Sequence, residues 1–109
     1  MKPTMDALED IKNRILKAIN PVAIILFGSL ATGDVTEDSD IDLLVVWDEQ
    51  MDLSNVARAI AVRDTIGLVD YAVDILTCTT AELQAVIENK NSFTAQIVQE
   101  GRLVYGRLH

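Results

Sequence analysis

Apolar residues along this chain follow two spacings, one typical of helices and one typical of buried strands. Near the N-terminus, Leu8, Ile11, Ile15 and Ile19 recur every three or four residues, which predicts an amphipathic helix over about residues 4–20. Pro21 ends that pattern. Apolar runs then predict strands over residues 22–27, 41–47 and 68–76, with a short last strand over 103–105. The run at 41–47 is apolar on both faces, so we expect it to be central in the sheet.

Four further helices are predicted between and after these strands. A short helix is expected over residues 29–32, and a longer one over 54–66 with Ser54 as its N-terminal cap and Gly67 as its end. Thr79 or Thr80 caps the next helix, over 81–89, and Glu82 lies in its first turn, where the helix dipole favours an acid. The last helix is expected over 91–100. The residues that recur at helical intervals within 54–66 are Val56, Ala59, Ile60 and Arg63.

This order of elements predicts an α/β (α+β) fold, a small mixed β-sheet flanked by helices. With 109 residues, the chain is expected to form a single domain over residues 1–109. A net charge of -8 and scattered basic residues argue against direct nucleic-acid binding, which needs clustered Lys and Arg. The longest apolar run is far shorter than the roughly 20 residues that cross a bilayer. Cys78 is the one cysteine, so no internal disulfide forms, and we expect a cytoplasmic protein without membrane attachment.

The chemistry-bearing residues lie where the first predicted strand ends and the second begins. Asp40 and Asp42 occupy alternate positions at the start of the second strand, so both side chains project to the same side. Gly28 and Ser29 form a small-residue turn directly after the first strand. Paired acids suit a divalent metal, and a glycine-serine turn suits a phosphate. The combination indicates metal-dependent chemistry on a nucleotide.

A further acid on the third predicted strand extends this site. Asp70 and Asp74 have the same parity, and Asp74 has apolar neighbours, so we expect Asp74 to be the more buried of the two. A buried carboxylate costs several kcal/mol unless a cation or a hydrogen-bond network compensates it. Asp40, Asp42 and Asp74 together suffice to hold two magnesium ions roughly 4 Å apart, the spacing used in phosphoryl transfer. Asp38 and Asp70 are interpreted as solvated.

Two familiar phosphate or metal motifs do not fit this region. Counting from Asp34, the sixth and twelfth positions of a calcium loop hold Ser39 and Val45 instead of glycine and glutamate. A Walker A loop requires Lys-Ser or Lys-Thr after its second glycine, whereas Gly33 precedes Asp34 and a valine. The turn at Gly28 can still bind phosphate through its backbone amides and the hydroxyl of Ser29.

Taken together, these motifs closely resemble the minimal nucleotidyltransferases of the DNA polymerase beta superfamily. That family carries Gly-Ser, an Asp-x-Asp on the next strand and a third acid on the strand after. The resemblance covers nearly the whole chain, including its closing Glu100-Gly101-Arg102-Leu103-Val104-Tyr105. The matching segments are Gly28-Ser29-Leu30-Ala31-Thr32-Gly33, Ser39-Asp40-Ile41-Asp42-Leu43-Leu44-Val45 and Val73-Asp74-Ile75.

The resemblance implies transfer of a nucleoside monophosphate from ATP or another nucleoside triphosphate, with two Mg²⁺ ions and Mn²⁺ as an alternative. By matching positions, Asp40, Asp42 and Asp74 would be the catalytic, metal-binding residues, and Asp74 would also help to activate the attacking hydroxyl. Gly28 and Ser29 would hold the β- and γ-phosphates. One position departs from the family: Thr32 stands where arginine is frequent, which removes a cation for triphosphate or partner contacts.

The resemblance extends to stand-alone domains of this size that are the antitoxins of HEPN/MNT toxin–antitoxin pairs. Their implied function is to adenylylate a tyrosine of a helical HEPN-type partner that cleaves RNA. Two other functions stay open from the sequence. One is a non-catalytic module that neutralises its partner by occupancy. The other is a small-molecule nucleotidyltransferase that works as a homodimer.

Overall fold

The helices and strands of the protein follow one another in the predicted order. The structure, a computed structural model, describes residues 4–36, 39–88 and 92–107. The predictions that fall on Asp38, Asn89 and Asn91 lie outside the described residues. The elements are α1 (Met5–Ala18), β1 (Ala23–Phe27), α2 (Ser29–Thr32), β2 (Ile41–Val46), α3 (Asn55–Ile66), β3 (Val73–Cys78), α4 (Thr80–Glu88), α5 (Phe93–Glu100) and β4 (Arg102–Gly106).

The four strands form one mixed sheet in the order β3-β2-β1-β4, which confirms the predicted fold class. Strand β1 is antiparallel to both β2 and β4, whereas β2 and β3 are parallel. Since β2 and β3 run in the same direction, their first residues lie at the same edge of the sheet. The antiparallel β1 ends at that edge. This topology therefore brings the end of β1 together with the beginnings of β2 and β3.

Two apolar clusters, one on each face of the sheet, hold the helices in place. Strand β2 contributes to both clusters, because its alternate side chains point to opposite faces, and it is a central, buried strand as predicted. Helices α1 and α3 cover one face through Leu8, Ile11, Ile15, Val62 and Ile66. Helices α4 and α5 cover the other through Leu83 and Ile97. Within the described segments, no helix combines the length and apolar character needed to span a bilayer.

Side-chain caps fix where four of the helices begin. Thr4, Ser54 and Ser92 each accept a hydrogen bond from a backbone N–H three residues later. Thr79 caps α4, and its hydroxyl accepts from the Glu82 N–H while the Glu82 carboxylate accepts from the Thr79 N–H, at 3.1 and 2.9 Å. The sequence left Thr79 and Thr80 open as caps, and the structure selects Thr79.

The prediction for the third strand was wrong at both ends. Strand β3 begins at Val73, paired with Ile41, and continues to Cys78, paired with Val46. It has the same extent as β2, because each of its six residues pairs with one residue of β2. Asp70 consequently lies in the connection before β3, so the shared strand face predicted for Asp70 and Asp74 does not exist.

The helical pattern predicted for α3 lies on its outer side. Val56 is 72% exposed and Ile60 is 58% exposed, whereas Arg58, Val62 and Ile66 are buried. Arg58 can be buried because its guanidinium donates to the backbone carbonyls of Trp47 and Glu49 and to the Asn55 side chain. It also lies 5.2 Å from the centre of the Trp47 ring, a cation–π contact. These contacts replace the hydration that the charge loses.

Candidate active site

Three carboxylates meet at the edge where β1 ends and β2 and β3 begin. Asp42 and Asp74 are directly paired across the parallel strands, and Asp40 immediately precedes β2. One carboxylate oxygen from each residue lies within 4.8 Å of the others. The structure thus brings together the three acids that the sequence singled out, and the alternation of Asp40 and Asp42 along the chain is the reason that both reach the same place.

Gly28 permits this arrangement because a side chain at that position has no room. Phe27 pairs with Asp42 across β1 and β2, so the next residue, Gly28, lies against the Asp42 carboxylate. A Cβ at Gly28 would lie 2.1 Å from Oδ2 of Asp42. Gly28 also has a φ of 75°, a backbone conformation that other residues rarely adopt. Glycine therefore meets two requirements, one of conformation and one of space.

The surroundings of Asp42 disfavour the charged form of its carboxyl group. Burial, followed by the negative charges of Asp74 and Asp40 and a hydrogen bond with Asp74, raises the pKa of Asp42 to about 6. We expected Asp74 to be the partly buried acid, and this was wrong: Asp74 is exposed, whereas Asp40 and Asp42 are intermediate. Asp74 lies on β3, which is at the edge of the sheet formed by the described strands.

The acid cluster fits a divalent cation on the chemistry of its donors. All three residues offer carboxylate oxygens, the ligands preferred by Mg²⁺ and Mn²⁺. Burial and then the charges of Asp74 and Asp40 raise the pKa of Asp42, and a shared cation would offset both effects. Asp40, Asp42 and Asp74 are thus the residues of this site that could hold a metal.

The turn after β1 continues into the short helix α2. Backbone amides of Ala31 and Thr32 donate to the Gly28 carbonyl, which fixes the turn beside the acids. The Thr32 hydroxyl donates to the Ser29 carbonyl at 3.3 Å, so the residue that stands in place of arginine stabilises the turn itself. Phosphate binding by Gly28 and Ser29 stays a prediction.

An aromatic pair that no sequence motif predicts lies beside the acids. Phe27 and Phe93 meet edge to face, with ring centres 6.4 Å apart, and Phe93 is 63% exposed. Both rings line a pocket that also contains Asp42 and Asp74. Phe27 is the last residue of β1, and Phe93 is the first residue of α5. The signal for Phe93 is weak: a lone aromatic residue directly after the helix cap Ser92.

Comparison with known proteins supports the resemblance to nucleotidyltransferases. The family model "Polymerase beta, Nucleotidyltransferase" matches residues 9–109. A protein of Methanocaldococcus jannaschii named a putative protein adenylyltransferase is 32% identical over 90 residues, which cover 75% of this chain and 76% of that protein.

Solved structures share the fold. A crystal structure described as a putative nucleotidyltransferase from Sulfolobus solfataricus has a TM-score of 0.64 at 22% identity, covering 92% of this chain and 78% of that one. A toxin–antitoxin structure with AMP-PNP has a TM-score of 0.53 at 26% identity, covering 91% and 73%. A mutant of the MntA-HpeT toxin–antitoxin pair has a TM-score of 0.53 at 26% identity, covering 92% and 72%.

The family match extends over most of the chain, and the M. jannaschii relative exceeds 30% identity over three quarters of it. The mixed sheet and the helices that flank it agree with the fold expected for such a domain. The chain therefore belongs to the polymerase beta nucleotidyltransferase family.

Proposed function

We propose that this protein is a metal-dependent protein adenylyltransferase, which transfers AMP from ATP to a tyrosine hydroxyl of a helical HEPN-type partner and thereby acts as its antitoxin. The observation that carries the enzymatic part is the meeting of Asp40, Asp42 and Asp74 within 4.8 Å beside the Gly28 turn. The protein acceptor is supported by the name of the M. jannaschii relative, and the antitoxin role by the toxin–antitoxin structures.

The roles of the residues follow from their positions. Asp40 and Asp42, with Asp74, would hold two Mg²⁺ ions. When bound, these cations neutralise the triphosphate and the leaving pyrophosphate. Gly28 and Ser29 hold the β- and γ-phosphates through backbone amides and the serine hydroxyl. This assignment places the α-phosphate between the turn and the acid cluster.

Asp74 is suited to orient the acceptor, because it is the exposed member of the cluster and borders the open edge of the sheet. In the reaction, the acceptor oxygen forms a bond to the α-phosphorus, and the bond from that phosphorus to the bridging oxygen of the β-phosphate breaks. Pyrophosphate leaves with the bonding electron pair. The hydroxyl proton passes to Asp74 and then to solvent, so that the products are AMP–protein and pyrophosphate.

The test combines the purified protein with ATP, Mg²⁺ and the product of the neighbouring gene, and weighs both proteins by intact mass spectrometry. We expect one or more AMP units on the partner. Asp42→Asn should abolish the gain, whereas Asp70→Asn, a matched change outside the acid cluster, should retain it. An unmodified partner that is nevertheless neutralised by Asp42→Asn would contradict catalysis and support neutralisation by occupancy. Labelling of a soluble acceptor without a partner would support a small-molecule enzyme.

A further inference from the structure

A pocket lined mostly by apolar side chains lies beside the acid cluster. Phe27, Ile75, Leu76 and Phe93 line a pocket of about 360 Å³ together with Asp42 and Asp74. That volume lies within the range of small-molecule sites, roughly 300–1,000 Å³. Leu76 is 39% exposed and Phe93 is 63% exposed, so these side chains contribute little to the core and leave apolar surface beside charged groups.

From this pocket we propose that Phe93 and its neighbours bind the nucleobase of the nucleoside triphosphate by stacking, without reading the identity of the base. The inference rests on the proposed function, because it takes the α-phosphate to lie at the acids. A phosphate chain that runs from the Gly28 turn to the acid cluster places the nucleoside beyond the acids. The pocket of Phe93 is contiguous with them through Asp42 and Asp74.

The arrangement of the rings supports a stacking role. Phe27 and Phe93 lie at an interplanar angle of 88°, an edge-to-face geometry that aromatic pairs favour. Because Phe93 is largely exposed, it retains surface on which a planar ring can lie. Stacking on an aromatic side chain contributes to binding with every base, since every base has a π-face.

The lack of base readout follows from the side chains that line this pocket. Among its described lining residues, the polar ones are Asp42 and Asp74, which are assigned to the cations and the acceptor. The remaining four are hydrocarbon side chains that offer no donor or acceptor to a base edge. ATP and GTP are therefore expected to bind alike, and the smaller pyrimidine rings more weakly.

A second pocket, which Phe27 and Phe93 also line, provides the competing location. It has a volume of about 260 Å³ and includes Gln96 and Glu100, whose polar groups could distinguish one base from another. It also contains Gly28 and Thr32, which places it at the end of the site assigned to the β- and γ-phosphates. The nucleoside is attached at the opposite end of the triphosphate, and the first pocket fits that end.

The experiment measures binding by calorimetry, without any acceptor protein. The ligands are the Mg²⁺ complexes of ATP, GTP, CTP and UTP, and of inorganic tripolyphosphate. In the unsubstituted protein, ATP and GTP should bind within about threefold of each other and more tightly than tripolyphosphate. Phe93→Ala should weaken binding of every nucleotide by about thirtyfold, the mid-range for loss of one stacking contact, and leave tripolyphosphate unchanged.

Four further variants make the result specific. Phe93→Tyr should restore nucleotide binding and Phe93→Leu should not, because only the former keeps a planar ring. Ile87→Ala, which truncates an exposed residue of α4, controls for loss of apolar surface. Equal loss of nucleotide and tripolyphosphate binding in Phe93→Ala would overturn the proposal, as would a change of base preference in Gln96→Ala. Nucleotide binding that depends on Phe93, without AMP transfer to any protein, would instead refute only the proposed function.

Discussion

Gly28 and Gly33 flank the same four-residue helix, yet a side chain at each would meet different surroundings. Both have a positive φ, 75° and 92°, so substitution strains the backbone in either case. A Cβ at Gly33 would contact nothing within 4 Å, whereas a Cβ at Gly28 would collide with the Asp42 carboxylate. The two positions therefore separate the cost of conformation from the cost of space.

Alanine at these glycines gives a matched test. Gly33→Ala should lower the free energy of unfolding by about 1 kcal/mol, from backbone strain alone. Gly28→Ala should cost more, about 2–3 kcal/mol, and should also weaken Mg²⁺ binding because Asp42 must move. Urea denaturation and Mg²⁺ titration by calorimetry measure the two effects. Equal losses of stability with unchanged Mg²⁺ affinity would show that Gly28 is required only for its conformation.

At the residue scale, the sequence was most informative where side chains alternate on one strand. Asp40 and Asp42 share a face by covalent geometry, so their meeting follows from local structure. The exposure of Asp74 and the position of Phe93 depend on which elements are neighbours in space. Those neighbours are set by the parallel pairing of β2 with β3 and by the packing of α5 against β1, which no local pattern encodes.

At the scale of the helix, α4 has a second cap in addition to Thr79, and this one comes from a residue distant in sequence. Asp48, which follows β2, accepts hydrogen bonds from the backbone N–H and the hydroxyl of Thr80, each at 2.7 Å. The backbone bond is the larger cause, and both lower the pKa of the Asp48 carboxyl. A lowered pKa means that the charged carboxylate favours the folded state, so this contact stabilises the junction of β2 and α4.

Loss of this contact should be visible in the pH dependence of stability. Asp48→Ala should reduce the free energy of unfolding by about 1 kcal/mol at pH 7, as for other helix caps. Because the folded-state pKa is depressed, the contribution is present above the usual value of 3.8 and is lost as the pH falls below it. Denaturation of both proteins across acidic pH measures the difference. A gap that persists unchanged after the carboxylate is protonated would contradict this account.

The elements themselves were predictable except where a partner sets their limits. The cap at Ser54 and the end near Gly67 follow from local chemistry and are confirmed. The start of β3 is set by the first residue of β2 available for pairing, Ile41. The residues that recur at helical intervals do not mark the buried side of α3, because the charged residue Arg58 is buried against Trp47, whereas apolar Val56 faces solvent. Hydrophobicity alone ranks those positions in the reverse order.

For the whole molecule, the acid cluster that could bind a cation lowers the stability of the metal-free fold. Ionised Asp42 is repelled by Asp74 and Asp40, and its pKa is raised to about 6. The folded state therefore retains a proton that the unfolded chain has lost. The metal-free fold loses stability as the pH rises from the usual 3.8 through about 6, and the loss is complete above that range. At neutral pH the charge of Asp42 in the metal-free protein opposes folding, and a bound cation would reverse this effect.

Neutralising one acid should consequently stabilise the metal-free protein. Asp42→Asn in EDTA at pH 7 should raise the free energy of unfolding by about 1 kcal/mol, a value reduced for solvent screening. Mg²⁺ at a hundredfold excess over its dissociation constant should add about 2.7 kcal/mol to the unsubstituted protein and little to Asp42→Asn. Thermal unfolding with and without Mg²⁺ measures both effects.

Asp70→Asn is the control, since it removes the same charge outside the cluster. If Asp70→Asn stabilised the metal-free protein as much as Asp42→Asn, the effect would reflect net charge and not crowding at the site. A Mg²⁺ response that survived in Asp42→Asn would place the cation elsewhere.

The in-register pairing of Asp42 with Asp74 also bears on how the chain reaches its final state. If β3 were shifted by one residue, Val73 or Ile75 would pair with Asp42, and Asp74 would point to the opposite face of the sheet. Such a misfolded species could bury much of the same apolar surface and still lack the third oxygen ligand. Cation affinity during refolding would therefore distinguish molecules with the correct strand register from compact molecules whose third strand is shifted.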